Sequence, residues 1–308
     1  MSGTPTRDEI PADDALGWPL PGAGDTVERW AALTRLCRDD IVVGRLTEAH
    51  ADAYAITREL DATPPRPGQL WGVWAAEPPD PVLRARTAGD ATLLSGRKAW
   101  CSGAGICTHA LVTATTEDGP ALYAVDLSAP GVAVVPGSWH GVGMTRSATL
   151  SVDFTDVPAT LVAPPGGYVE RPGFWHGAIG VAACWLGAAY AVAEPLLRSS
   201  RDDLLLRAHR GAVDAALYAA RCALTCAATE IDADPRDTSA ARIRARRVRA
   251  IVEAAATQTL DRVGRALGAG PLAQDALHAR RVADLTVYLR QSHADHDLAD
   301  LGALLSPS

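Results

Sequence analysis

The chain has no surplus of positive charge, no patterned cysteines and no internal repeat. A formal net charge of −7 over 308 residues excludes a general nucleic-acid surface, which needs clustered cations. The six cysteines stand at 37, 101, 107, 184, 222 and 226. No spacing among them matches a zinc ribbon or a disulfide framework, so a reducing compartment, the cytoplasm, is expected. Cys222 and Cys226 lie one helical turn apart on an apolar segment and read as core residues. The N-terminus is polar, with acidic residues and prolines, and does not read as a signal peptide. One segment, 174–197, is apolar enough to cross a bilayer. It carries His176, Glu194 and Pro195 and stands alone, so a helix buried in a large core is expected and no membrane role.

What is present is ordinary globular composition, 48% hydrophobic and 21% charged. Residues 1–25 hold several Pro and Gly with little periodicity and read as a loose arm. From 26 to 60 the pattern is helical, with Trp30, Leu33, Leu36 and Cys37, then Ile41, Val42, Leu46 and His50, recurring at three to four residues. The run Thr63-Pro64-Pro65-Arg66-Pro67-Gly68 breaks it. Short β runs at 70–74, 110–114, 122–125, 132–135 and 149–154 follow, separated by Gly, Pro and Asp turns. After Pro164-Pro165-Gly166-Gly167 the chain is helical again, in segments near 174–199, 201–232, 239–267 and 271–304. The domains expected are therefore 1–67, a disordered arm plus a short helical region; 68–166, a β domain; and 167–308, a helical bundle.

Within the β domain stands Gly96-Arg97-Lys98-Ala99-Trp100-Cys101-Ser102-Gly103. A Trp and a Ser two apart on a strand point to one face, and an aromatic wall beside a hydroxyl donor suits a planar redox ring. This stretch resembles the flavin-contacting signature of the acyl-CoA dehydrogenase superfamily, in which the Trp lies against the flavin and the hydroxyl residue bonds N5. Further pieces follow in the family's order. Glu77-Pro78, preceded by Trp74 and Ala76, is similar to the turn at the other edge of the flavin. Gly143-Met144-Thr145-Arg146-Ser147 and Phe154-Thr155-Asp156-Val157 resemble two more elements, and Gly268-Ala269-Gly270 stands at the turn near the adenine half of the cofactor.

The resemblance, over roughly residues 28–305, implies an α+β fold: a short N-terminal helical region, a middle β-barrel domain and a C-terminal four-helix bundle. It implies FAD as cofactor, a homodimer or dimer of dimers, and α,β-dehydrogenation of an acyl thioester with an electron-transfer acceptor. Trp74, Ala76, Trp100, Cys101, Ser102, Arg201, Gly268, Gly270 and Ser292 are the implied cofactor contacts.

Three departures stand out. The region before the β domain is short. Glu77-Pro78 continues as Pro79-Asp80, without the family's phosphate-contacting loop, and Ala76 replaces the flavin-facing Thr. The base is missing too, for Tyr288-Leu289-Arg290-Gln291-Ser292-His293 stands where the family has its Glu. Dehydrogenation needs a group that takes the α-proton as hydride leaves for the flavin. His176, at the start of the first bundle helix, and Asp295, just past the turn, are the candidates, beside His293 and Asp297. A satisfied core histidine and a solvated helix start are the plain alternatives. His293, His296 and Asp297 have metal-ligand spacing, but nothing resembles a second metal shell and no metal is expected. The arginines at 242, 244, 246, 247 and 249 read as a solvated helix start or as phosphate contacts. A flavin monooxygenase or oxidase, and a non-catalytic partner subunit, are the alternative functions.

Overall fold

The computed structural model of the protein describes residues 3–80, 82–89 and 91–306. They cluster into two units. One takes the chain's start to residue 18 with 46–141 and 145–174; the other takes 19–45, 142–144 and 175 onward.

The first unit is a β-barrel built from β1 (Trp71–Trp74), β2 (Leu83–Ala88), β3 (Ala91–Cys101), β4 (His109–Thr116), β5 (Gly119–Asp126), β6 (Val132–Val135) and β7 (Leu150–Ala163). β2, β3, β7, β5 and β4 close into a ring, because β4 pairs with both β2 and β5. β1 lies parallel to β4 over Trp71–Trp74 against His109–Val112, ahead of the parallel β2 contact at Arg84 and Thr115. Alternation along β4 serves two cores. Ala110, Val112 and Ala114 face the barrel interior with Leu94, Tyr123 and Phe154. Leu111 faces out, onto Ala53 and Ile56 of the helix α3 (Ile41–Glu59) and onto Trp71 and Leu122. Burial on both faces explains the near-continuous apolar run. Each fully buried Leu contributes about 1.5–3 kcal/mol.

The second unit holds α2 (Thr26–Asp39) and the C-terminal helices. These are α4 (Pro172–Arg198), α5 (Leu204–Ala233), α6 (Thr238–Leu267), α7 (Ala269–Gln274), α8 (Ala276–Tyr288) and α9 (Asp295–Leu305). α4, α5, α6 and α8 are the long members of the bundle. Aspartates set the starts of α5, α6 and α8: Asp203 accepts from Leu206 N at 2.9 Å, Asp237 from Ala240 N at 3.0 Å, and Asp275 from Leu277 N and His278 N at 3.0 Å. α4 is apolar all round because most of it is buried. α2 packs tightly on it: a side chain at Gly187 would run into the Thr34 carbonyl, and Thr34 Oγ1 donates to Ala183 O at 3.1 Å.

Several sequence expectations are corrected. The loose arm is ordered from residue 3: it forms a 3-10 turn at Arg7–Glu9 and a helix, α1, at Ala12–Ala15. Ile10, Ala12 and Ala15 are buried, and Gly68 N donates to Asp13 Oδ1 at 2.9 Å. The run is too short to show periodicity, yet it has an apolar side to bury. The helical pattern at 26–60 is two helices. Asp40 takes an extended conformation and accepts from Val42 N at 2.9 Å and Val43 N at 3.1 Å, capping α3. The last helical segment is broken at Asp275 and again at Leu289–Ala294, where Ala294 has φ 46°. Cys222 and Cys226 are exposed, not core; α5 buries Val213, Leu217, Ala220 and Leu224 instead.

Candidate functional site

The motif strand β3 does not run straight to its end. Its pairing with β7 slips between Lys98 and Cys101, a bulge that puts Trp100 at φ 58°. A bulky residue there is strained and is held by its surroundings. The result is a Trp that stays 57% exposed. Strand alternation therefore does not set Trp100 and Ser102; a bulge and a turn do. Gly103 N donates to Ser147 O at 2.8 Å and Ala104 N to Ala148 O at 3.2 Å, fastening that turn. Ser102 Oγ lies 3.0 Å from Thr149 Oγ1, which lies 2.7 Å from Ser147 Oγ. This hydroxyl chain fixes the rotor of Ser102.

Trp74 and Cys101 act differently from the expectation. Trp74 is buried and donates Nε1–H to Ser102 O at 2.9 Å; it supports the turn and shows no open face. Cys101 points into the barrel core, with burial pushing its thiol pKa up, so only its backbone is available to a ligand. Ala76 is exposed beside Glu77. The exposed Trp100 and the oriented hydroxyl of Ser102 fit a planar ring that accepts a hydrogen bond.

In the helical unit, His176 is buried in the early turns of α4. Asp295 is exposed, in the first turn of α9, where a carboxylate suits the helix dipole. The buried carboxylate of this stretch is Asp297, paired with Arg246 and accepting from His293 N at 3.3 Å. Arg246 Nε also meets Asp300 at 2.8 Å, and Arg242 pairs with Asp300. Both guanidiniums lie against the Trp175 ring, at 5.7 and 5.2 Å. The arginine run is thus mostly internal wiring and not a solvated helix start: Arg244 and Arg249 are buried as well.

Ser292 is buried and donates to Glu253 Oε2 at 3.0 Å, while Arg290 reaches Glu253 Oε1 at 3.3 Å. Sequence reasoning missed Glu253 because α6 brings it from 39 residues away. It also missed Arg249. That guanidinium donates to Ala178 O at 2.9 Å and Gln291 O at 3.0 Å, and sits 4.5 Å over the Trp185 ring. Burial lowers its pKa, opposed by Asp297. Arg249 ties the helix carrying His176 to the turn carrying Ser292, two segments that the sequence reading treated separately. The signal was its place among Ala245, Val248, Val252 and Ala256, the buried face of α6.

Arg201 is exposed, pairs with Asp203 at 3.1 Å and reaches toward Ala266 O at 3.5 Å. That brings it near Gly268, which ends α6 at φ 66°. Gly270 lies in α7 with open space around its Cα.

No family model and no curated protein matches the chain. Solved structures do. TdsC from Paenibacillus sp. A11-2, in complex with FMN and indole, is 18% identical, with 95% of this chain and 85% of that one covered and a TM-score of 0.80. KijD3, in complex with FMN and an amino-keto dTDP-sugar, is 20% identical over 97% and 87%, with a TM-score of 0.77. Butyryl-CoA dehydrogenase from Megasphaera elsdenii is 17% identical over 92% and 82%, with a TM-score of 0.79. The chain has the acyl-CoA dehydrogenase fold.

Proposed function

We propose that this chain is a flavin-dependent oxidoreductase whose reduced cofactor reacts with oxygen: a monooxygenase or oxidase on the acyl-CoA dehydrogenase fold. One observation carries the choice. Arg290 or Gln291 stands where the resemblance puts the base of a dehydrogenase, and the carboxylates nearby are engaged or turned to solvent. Asp297 is held by Arg246, Glu253 by Ser292 and Arg290, and Asp295 is exposed. A carboxylate committed to such partners is not placed to take a substrate proton. The flavin, FAD as the resemblance implies, supplies the two-electron chemistry when bound. Trp100 gives its ring a wall, and the Ser102 hydroxyl, oriented by Thr149, gives it a donor. The FMN in the TdsC and KijD3 structures supports a flavin and leaves FAD to be tested.

Dehydrogenation of an acyl thioester is the second reading, and Glu253 favours it. It brings a carboxylate to the Ser292 turn from another helix, with His176 on the segment that Arg249 ties to that turn. The substrate is then a thioester, and the acceptor an electron-transfer protein.

The protein is purified without added cofactor, its visible spectrum is recorded, and the cofactor released on denaturation is weighed to tell FAD from FMN. The holoprotein is next reduced without oxygen and mixed with oxygenated buffer in a stopped-flow instrument. Reoxidation within milliseconds to seconds supports the oxygen-reacting reading. Slow reoxidation, together with bleaching of the flavin by acyl-CoA thioesters, overturns it in favour of dehydrogenation. A colourless protein that binds neither flavin overturns both and leaves a non-catalytic partner subunit.

A further inference from the structure

The barrel ladder has a seam. Along β4, pairing with β1 stops at Val112 and pairing with β2 begins at Thr115. Along β3, pairing with β2 stops at Gly96. Between these points Thr113 turns its carbonyl to an edge on which no described strand pairs with it. An unmet buried carbonyl costs about 1–3 kcal/mol, so the seam must be closed by something else.

Lys98 closes it. Its side chain is buried, and Nζ donates to Thr113 O at 2.7 Å and to Thr113 Oγ1 at 2.8 Å. A cavity of about 50 Å³ lies at this point, lined by Lys98 and Thr113 together with Glu77, Pro78 and Val82 from the connection between β1 and β2. Gly96 belongs to the same device. At φ 121° it lets the Val82 carbonyl pass where a side chain would collide. Burial lowers the Lys98 pKa to about 8, with Glu77 as the largest opposing charge.

We infer that Lys98 is a positioning residue. By spanning the seam from β3 to Thr113, it fixes the last ladder position before the bulge that holds Trp100 outward. The strained φ of Trp100 needs rigid anchors on both sides. The turn at Gly103 supplies one and Lys98 the other. The Gly and Lys of the motif then serve the Trp of the motif, and none of the three is spare. The value of this to a cofactor rests on the flavin reading above; the anchoring itself does not.

The test compares wild type with Lys98→Met, which keeps length and removes the donors, and Thr113→Val, which removes only the hydroxyl. Amide hydrogen exchange is followed by mass spectrometry on flavin-free protein. Lys98→Met is expected to lower protection of peptides covering 97–103, and of the 150–153 stretch of β7 that pairs with them, at least tenfold, with β5 peptides unchanged, and Thr113→Val about threefold. Unchanged protection at 97–103, or a loss spread evenly over the barrel, overturns the assignment. If Lys98→Met does not fold by circular dichroism, Thr113→Val decides alone. Flavin binding by the same proteins is measured separately. A Kd at least tenfold weaker in Lys98→Met extends the anchoring to the cofactor. If no protein binds a flavin, the flavin reading falls, while the exchange data still decide the anchoring.

Discussion

Replacing His50 removes a defined part of the chain's acid sensitivity. The His50 ring is buried under α1, and its Nδ1 accepts from Trp71 N at 3.0 Å. That bond needs a neutral ring nitrogen. Burial lowers the pKa from 6.5 to about 4, with Asp13 as a weaker opposing charge. The sign follows from proton counting. Between pH 6.5 and 4 the unfolded chain binds this proton and the folded chain does not, so stability falls as pH falls through that window and is fully present above it. The full gap between 6.5 and about 4 is worth about 3 kcal/mol; at pH 5 about 2 kcal/mol of it is lost. The assay is urea unfolding at pH 5 and pH 7.5, for wild type and for His50→Asn, whose carbonyl oxygen keeps an acceptor for Trp71. The substitution costs stability at both pH values through lost packing. The readout is the difference between the two pH values, which shrinks by about 2 kcal/mol in the variant. An equal pH dependence in the two proteins refutes the reasoning.

Trp100→Ala leaves the melting temperature within about 2 °C of wild type, because a strained, exposed side chain adds little to the fold, and weakens flavin binding at least tenfold by equilibrium titration. Arg249→Met loses two charged hydrogen bonds and the Trp185 stack; it lowers unfolding free energy by about 3 kcal/mol in denaturant titration. Asp295→Asn leaves turnover within about twofold, since the carboxylate is solvated and acts only on a helix start; a loss of a hundredfold or more would restore Asp295 as a base.

The order of helices, barrel and bundle was legible because each segment keeps its own period, 3.6 or 2, and is bounded by Pro and Gly. Breaks inside a period were harder to see. Asp40 divides 26–60 without Pro or Gly, by offering a side-chain cap. Ala294 turns left-handed with no sequence mark at all. The motif named Trp100 and Ser102, yet the alternation argued for them fails at a bulge, which is a property of pairing with β7 and invisible in one strand. Glu253 and Arg249 were illegible for a similar reason: their partners, at 292 and at 178 and 291, come from the turn before α9 and from α4. The exposed faces of Cys222 and Cys226 show the limit of composition, since small apolar residues run around all of α5 and do not say which side is covered.

The start of α2 has a consequence for how the chain is made. Its first turn is capped by a residue of α5: Thr26 N donates to Asp232 Oδ2 at 3.1 Å, Thr26 Oγ1 to Asp232 Oδ1 at 2.5 Å, and Gly24 N to Asp232 Oδ1 at 3.2 Å. Asp232 lies 206 residues later. At 5–20 residues per second, a ribosome needs about 10–40 s to deliver it. Through that interval the first amide groups of α2 lack their Asp232 cap, and until α4 is made Trp30, Leu33 and Cys37 lack the surface they pack on. The nascent chain therefore emerges with an apolar helix awaiting its partners, and chaperone occupancy of 26–39 should end when α5 has cleared the ribosome.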